Sequence, residues 1–146
     1  MQKLEQQLCF EVYKAANQFT RLYSKTLQQF GLTYPQYIVL LALIDEDGQT
    51  TSSLCQKLGL GIGTLNPVLQ KLVEKGLLKK EPSKTDKRAS YFSLTKSAKT
   101  LQPTIEQAIV DKLFCFDFLP NEGPILKERL QQLNAFLEMM NKEETI

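Results

Sequence analysis

The sequence contains no histidine, and that absence alone removes a large part of enzyme chemistry. Ser-His-Asp and Cys-His catalysis cannot be assembled, and the usual imidazole ligation of zinc or iron is gone. Cysteine is scarce: the three residues, at positions 9, 55 and 115, show no CxxC spacing. Long apolar runs are missing too. The longest, YIVLLALI at 37 to 44, is too short to span a bilayer. The first residues bring Glu5 and polar side chains at once, unlike a secretory leader. The expectation is a cytoplasmic protein with no membrane partner, no metal and no other cofactor, whose thiols stay reduced. An enzyme is not expected.

What is present fits one folded domain over residues 1 to 146, with 42% apolar and 23% charged side chains. Net charge is only +2, yet it is unevenly spread. Residues 71 to 99 hold nine basic side chains against Glu74, Glu81 and Asp86, a local +6 on a body that is otherwise −4. Such a stripe suits a polyanion partner, and a solvated lysine face is the alternative.

Residues 4 to 30 place Leu4, Leu8, Val12, Ala15, Phe19, Leu22 and Leu27 at helical spacing, a span of about 40 Å. Gly31 ends this helix, and Thr33-Tyr34-Pro35 reads as a cap and first-turn proline opening a second one, apolar nearly all round. Beyond the DEDG turn, Thr51 is expected to cap a short helix facing inward through Leu54 and Leu58. A glycine turn then leads to a further helix with Leu65, Leu69, Leu72 and Val73 on one face and Gly76 as its stop. Two short helices joined in this way form a helix-turn-helix. Asn66-Pro67 leaves the start of the second one open between Ile62 and Pro67, because a proline inside a helix removes a backbone bond. Two β-prone pieces, 77 to 81 and 90 to 94, then flank a polar turn and predict a hairpin, the wing of a winged helix.

Thr95 is expected to cap a helix running towards Phe118 with a kink at Pro103, and a last helix is expected from near Asn121. Its Leu126, Leu130, Leu133, Leu137 and Met140 follow a heptad, so a partner helix is expected. That partner is a second copy of the chain or the chain's own first helix, and dimerisation is the reading taken. The fold class is therefore mainly α (α+β). A winged helix-turn-helix over 34 to 95 is flanked by dimerisation helices over 1 to 33 and 96 to 146.

A winged helix reads DNA by seating its second helix in the major groove while the wing reaches the backbone. Thr64, Asn66, Gln70 and Lys71 occupy the outer face of that helix, and Asn and Gln can pair bidentately with adenine. Lys84, Lys87 and Arg88 at the hairpin tip suit phosphates, with Asp86 placed to hold the arginine. Winged helices also serve as protein-interaction modules, so this order of elements leaves both uses open.

The wing TDKRASYFSLT, with its Asp-x-Arg followed by a Leu-Thr helix start, resembles that of the MarR family of dimeric winged-helix regulators. More narrowly, LCFEVY, GLTYPQYIVLL and GTLNPVLQKL resemble the organic hydroperoxide resistance regulators, over residues 4 to 95. The resemblance implies that Cys9 is an oxidation sensor whose thiolate accepts hydrogen bonds from partner-subunit tyrosines at the positions of Tyr23 and Tyr34. It also implies that Cys115 stands where some members carry a resolving cysteine. Two departures stand out: Gly61-Ile62 where those regulators carry a polar pair such as Asp-Ser, and Ala98 in place of a glycine.

The chemistry stands apart from the resemblance. Only a thiolate attacks a peroxide, and a helix N-terminus or hydrogen-bond donors stabilise it. The resulting sulfenic acid condenses with a second thiol. Such a step brings Cα atoms within about 7 Å and shifts the helices that space two recognition helices. Cys55, Tyr13 and Tyr37 are expected to line the core; Cys115 is either packing or resolving. The reading is a homodimeric regulator of double-stranded DNA with a pseudo-palindromic operator, released when an organic hydroperoxide or related oxidant oxidises Cys9. A regulator controlled by a small aromatic ligand, with structural Cys9, is the first alternative. A thiol peroxidase-like or protein-binding winged helix is the second.

Overall fold

The computed structural model describes residues 3–113 and 118–143. After a 3-10 turn at Leu4–Gln6, helix α1 runs from Leu8 to Leu27 and ends through a second 3-10 turn at left-handed Gly31. Helix α2 (Tyr34–Asp45) begins as expected. The Thr33 hydroxyl accepts from the Gln36 N–H at 3.4 Å, and the Gln36 side chain accepts from the Thr33 N–H at 3.2 Å. This reciprocal capping box satisfies two donors that a helix start otherwise leaves bare.

Strand β1 (Gln49–Thr50) leads directly into α3 (Thr51–Leu58). The cap is Thr50 rather than the expected Thr51: the Thr50 hydroxyl accepts from the Ser53 N–H at 3.1 Å. A β1 residue thus also starts the helix, because the chain leaves the sheet in extended geometry, as a cap requires. Gly59, at φ 64°, then makes the left-handed turn that a side chain would strain. Helix α4 (Ile62–Glu74) starts at Ile62, so Pro67 lies inside it and the helix loses one backbone bond. Packing compensates: Leu65, Leu69 and Leu72 on its inner face are essentially fully buried.

Strands β2 (Leu78–Pro82) and β3 (Ser90–Leu94) form the antiparallel wing in the register Leu78↔Leu94, Lys80↔Phe92 and Pro82↔Ser90. Strand β1 pairs with the other edge of β3, giving the order β1-β3-β2. Leu78, Phe92 and Leu94 face the core formed with Val39, Leu43 and Leu54. Helix α5 (Lys96–Leu113) is capped by Thr95, whose hydroxyl accepts from the Ala98 N–H at 3.2 Å and donates to the Gly76 carbonyl at 2.8 Å. Pro103 lies within α5.

The chain divides into two compact units, Met1–Gln107 and Ala108–Ile146. In the second, α6 spans Phe118–Glu143, starting three residues earlier than the expected Asn121 and running through Pro124. Its outer turns expose Ile125, Leu126, Leu130, Leu137 and Met140. No helix among the described residues is long and apolar enough to cross a membrane.

Candidate nucleic-acid interface and thiol site

The inner leucines of α4 turn Thr64, Asn66, Gln70 and Lys71 outward, and all four are exposed. Gln70 is already engaged, donating from Nε2 to Glu74 Oε1 at 3.1 Å. A cleft of about 600 Å³ opens between α4, the first turn of α3 and the wing. Asn66, Asp86 and Arg88 line it together, whereas Thr64, Gln70 and Lys71 continue the α4 face outside it, and Lys84 and Lys87 stand at the wing tip. Sequence reasoning missed Thr51, Ile62, Lys80, Ser83 and Tyr91, which share the lining. Lys80 within the basic stripe and the Gly61-Ile62 departure were the signals available for them.

The wing tip is organised by a small buried residue. Ser83 Oγ accepts from the N–H groups of Thr85 and Asp86 at 3.3 and 3.1 Å. Its own N–H donates to the Ala89 carbonyl at 2.9 Å, closing the tip. Asp86 does hold Arg88, but through the backbone: its Oδ1 accepts from the Arg88 N–H at 2.9 Å. The guanidinium therefore projects from a fixed turn. At the wing base, Asp47 Oδ1 accepts from the Leu94 N–H at 2.8 Å, and Oδ2 sits 3.1 Å from Lys99 Nζ. Partial burial pushes the Asp47 carboxyl up. The Leu94 N–H, the Lys99 ammonium and the Gly48 N–H outweigh it and hold the group below its ordinary value.

Cys9 is the second residue of α1, exposed, with Sγ 3.8 Å from Gln7 Oε1. The N-cap, Gln7, makes no side-chain cap bond, and the Phe10 N–H beside the thiol donates to the Gln7 carbonyl at 3.1 Å. Farther along, Tyr23 stacks on Tyr34 with ring centroids 4.6 Å apart and on Tyr37 at 5.8 Å. Burial, and secondarily the neighbouring Tyr34 and Tyr37, push Tyr23 up to about 12, and burial raises Tyr34 and Tyr37 as well. These phenols stay protonated at neutral pH and remain donors. The structure brings Tyr23 and Tyr34 together but not with Cys9 of the same chain. Fourteen residues of helix put Tyr23 about 21 Å from Cys9 along the axis, and close to the same face. Tyr13, expected in the core, is exposed instead, because it lies on a stretch of α1 that a single chain leaves uncovered. Tyr37 is buried, and Cys55 is half-buried on α3. Cys115 lies outside the described residues. No group of three or more potential metal ligands occurs among those described.

A helix-turn-helix with a hairpin wing, and a cleft between them lined by amide, hydroxyl and basic side chains, defines a winged-helix protein. Residues 30–89 match the family model described as "MarR family". The chain is 32% identical over 135 residues to the HTH-type transcriptional regulator MgrA of Staphylococcus aureus, covering 92% of this chain and 87% of that protein. It is 31% identical over 141 residues to the organic hydroperoxide resistance transcriptional regulator of Bacillus subtilis, covering 97% and 94%. Reduced AbfR bound to DNA superposes with a TM-score of 0.77 at 36% identity, covering 92% of this chain and 95% of that one. A disulfide form of AbfR matches at 0.69 and 35%, covering 92% of each chain; the protein is from Staphylococcus epidermidis. The chain belongs to the MarR family and is a transcriptional regulator rather than an enzyme.

Proposed function

We propose that the chain acts as a homodimer that grips a pseudo-palindromic operator while Cys9 is reduced and lets go when an organic hydroperoxide or related oxidant oxidises it. The observation that carries this reading is the arrangement along α1: an exposed thiol in the first turn and a protonated tyrosine cluster two heptads away. That separation excludes an intrachain hydrogen bond, and the resemblance to the organic hydroperoxide resistance regulators assigns the donors Tyr23 and Tyr34 to the partner's thiol. Exposed apolar side chains on the first 3-10 turn (Leu4), on α1 (Leu8, Val12) and on α6 (Leu126, Leu130, Leu137) supply surface for a second copy.

In the reduced dimer, α4 enters the major groove with Asn66, Gln70 and Thr64 towards base edges, and Lys71, Lys84, Lys87 and Arg88 contact phosphates. Oxidation proceeds by attack of the Cys9 thiolate on the terminal peroxide oxygen. The O–O bond breaks, the departing alkoxide takes a proton to leave as an alcohol, and sulfur becomes a sulfenic acid. Condensation with a second thiol, Cys115 of the partner subunit or a small soluble one, forms the disulfide and releases water. The AbfR structures, one reduced and bound to DNA and one disulfide-formed, support this cycle by analogy. Control by an aromatic ligand is less well supported. The apolar cavity beneath Tyr37, lined by Leu40, Leu94 and Ile105, has an accessible volume of about 10 Å³, room for about one water and not for an aromatic ring.

The test is reduced protein treated with one equivalent of an organic hydroperoxide, followed by intact mass without reductant and by operator binding at several salt concentrations. A covalent dimer lost in both Cys9→Ser and Cys115→Ser, with release of DNA, is the expected result. Modification confined to Cys9 assigns the second step to an external thiol. An unreactive Cys9 overturns the reading.

A further inference from the structure

Of the large apolar side chains between residues 28 and 107, Ile62 is the most exposed, at 62%. It is the first residue of α4 and projects into the cleft that also holds Asn66, Lys80 and Arg88. Nothing in the chain uses it. Its neighbours Gly61 and Gly63 are equally unexplained from within: a Cβ built on either meets no atom within 4 Å, and neither has a positive φ. Gly61 leaves the helix start without a side-chain cap, a position where Ser, Thr, Asp or Asn stabilises a helix. The segment thus gives up a stabilising cap and exposes an isoleucine between two bare stretches of backbone. These features fit a surface that another molecule approaches closely.

The chemistry of the cleft limits that molecule. Arg88 and Lys80 favour a polyanion, so the apolar group must meet an apolar spot on an otherwise anionic ligand. Double-stranded DNA carries one such spot in its major groove, the thymine 5-methyl group. Asn66 lies one turn along from Ile62, on the same side of α4. An asparagine amide pairs bidentately with adenine N6 and N7. The pair therefore suits neighbouring A·T pairs, with the amide on an adenine and the isoleucine on a thymine methyl. We propose that Ile62 is a specificity-determining residue that packs against a thymine 5-methyl group in each operator half-site. This rests on the DNA-binding reading above.

The experiment uses full-length reduced protein and a duplex selected by it from random DNA. Each thymine of one half-site is replaced in turn by uracil, which removes only the methyl group. Binding is measured for the wild type, Ile62→Ala and Ile62→Ser. One replacement is expected to weaken the wild type about fourfold, the factor that burial of a single methyl group supplies. Both variants are expected to lose that sensitivity while keeping the wild-type salt dependence and affinity for random duplex. Wild-type indifference to uracil at every position overturns the inference and leaves DNA binding intact. So does an unchanged uracil penalty in Ile62→Ala. Failure of the reduced wild type to bind any selected duplex in a salt-dependent way overturns both readings. Because Ile62 is solvent-exposed, the variants fold, and their circular dichroism and melting temperature check this.

Discussion

At the scale of single residues, Tyr23 shows how a setting fixes a protonation state. Its phenol is pushed up to about 12 by burial and by two tyrosine neighbours, against an ordinary value near 10 in an unfolded chain. The native state then binds more protons than the unfolded chain between those values. Stability is complete below pH ~10 and is lost as pH rises through the folded value. Ultraviolet titration of phenolate in the native protein is expected to run to higher pH than that of the unfolded chain, and Tyr23→Phe removes the component that titrates at the highest pH. Some of this scale was legible beforehand. Cys9 and Tyr34 stood out because they sit in recognisable short blocks, and Tyr23 only as a position the resemblance assigns. Ser83, Gln49 and Lys75 did not, because their work consists of tertiary contacts. Gln49 is buried and bonds Ala42, Glu46 and Ser53. Lys75 reaches from the end of α4 to the Gly31 carbonyl and, at 2.8 Å, to Gln36 Oε1. No periodicity in the sequence announces either role.

Among the elements, Asp47 ties the turn after α2 to two that lie some fifty positions further on. From the turn after α2 it holds the Leu94 N–H of β3 and the Lys99 ammonium of α5. Asp47→Ala is expected to lower stability by about 1 kcal/mol, allowing for the screening that a partly exposed carboxylate experiences. Because the Asp47 carboxyl is held below its ordinary value, the loss relative to wild type is fully present above pH ~4 and fades as pH falls through the lowered value. Urea melts of both proteins at a series of pH values check it. Elements with local signals were readable from sequence: α2 through its capping residues, α4 through its leucines and the wing through its polar turn. Strand β1 was not, since two residues carry no pattern and their partners Tyr91 and Phe92 lie some forty positions on. The start of α4 was ambiguous for a related reason. Local rules placed a helix start at Pro67, and the buried leucines on either side overrode them.

For the whole molecule, symmetry decides what the residues can do. In the proposed homodimer, with one α4 per chain, two half-sites are read only as a pair, and the basic wing of each copy is set to meet its own stretch of backbone. The proposed thiol site obeys the same two-fold rule. With Cys9 and Tyr23 of one chain about 21 Å apart, each site in the proposed dimer takes its sulfur from one copy and its hydroxyl donors from the other. This arrangement lets two defective proteins rescue each other. In a mixed dimer of Cys9→Ser and Tyr23→Phe subunits, one site has lost both parts and the other has kept both. Peroxide reactivity of the surviving thiol is expected to rise on subunit exchange from the sluggish rate of the Tyr23→Phe homodimer to the wild-type rate. No rise on mixing would overturn the pairing of one copy's thiol with the other copy's tyrosines. In the language of genetics, two alleles silent alone would complement within one gene, with at most half the sites alive.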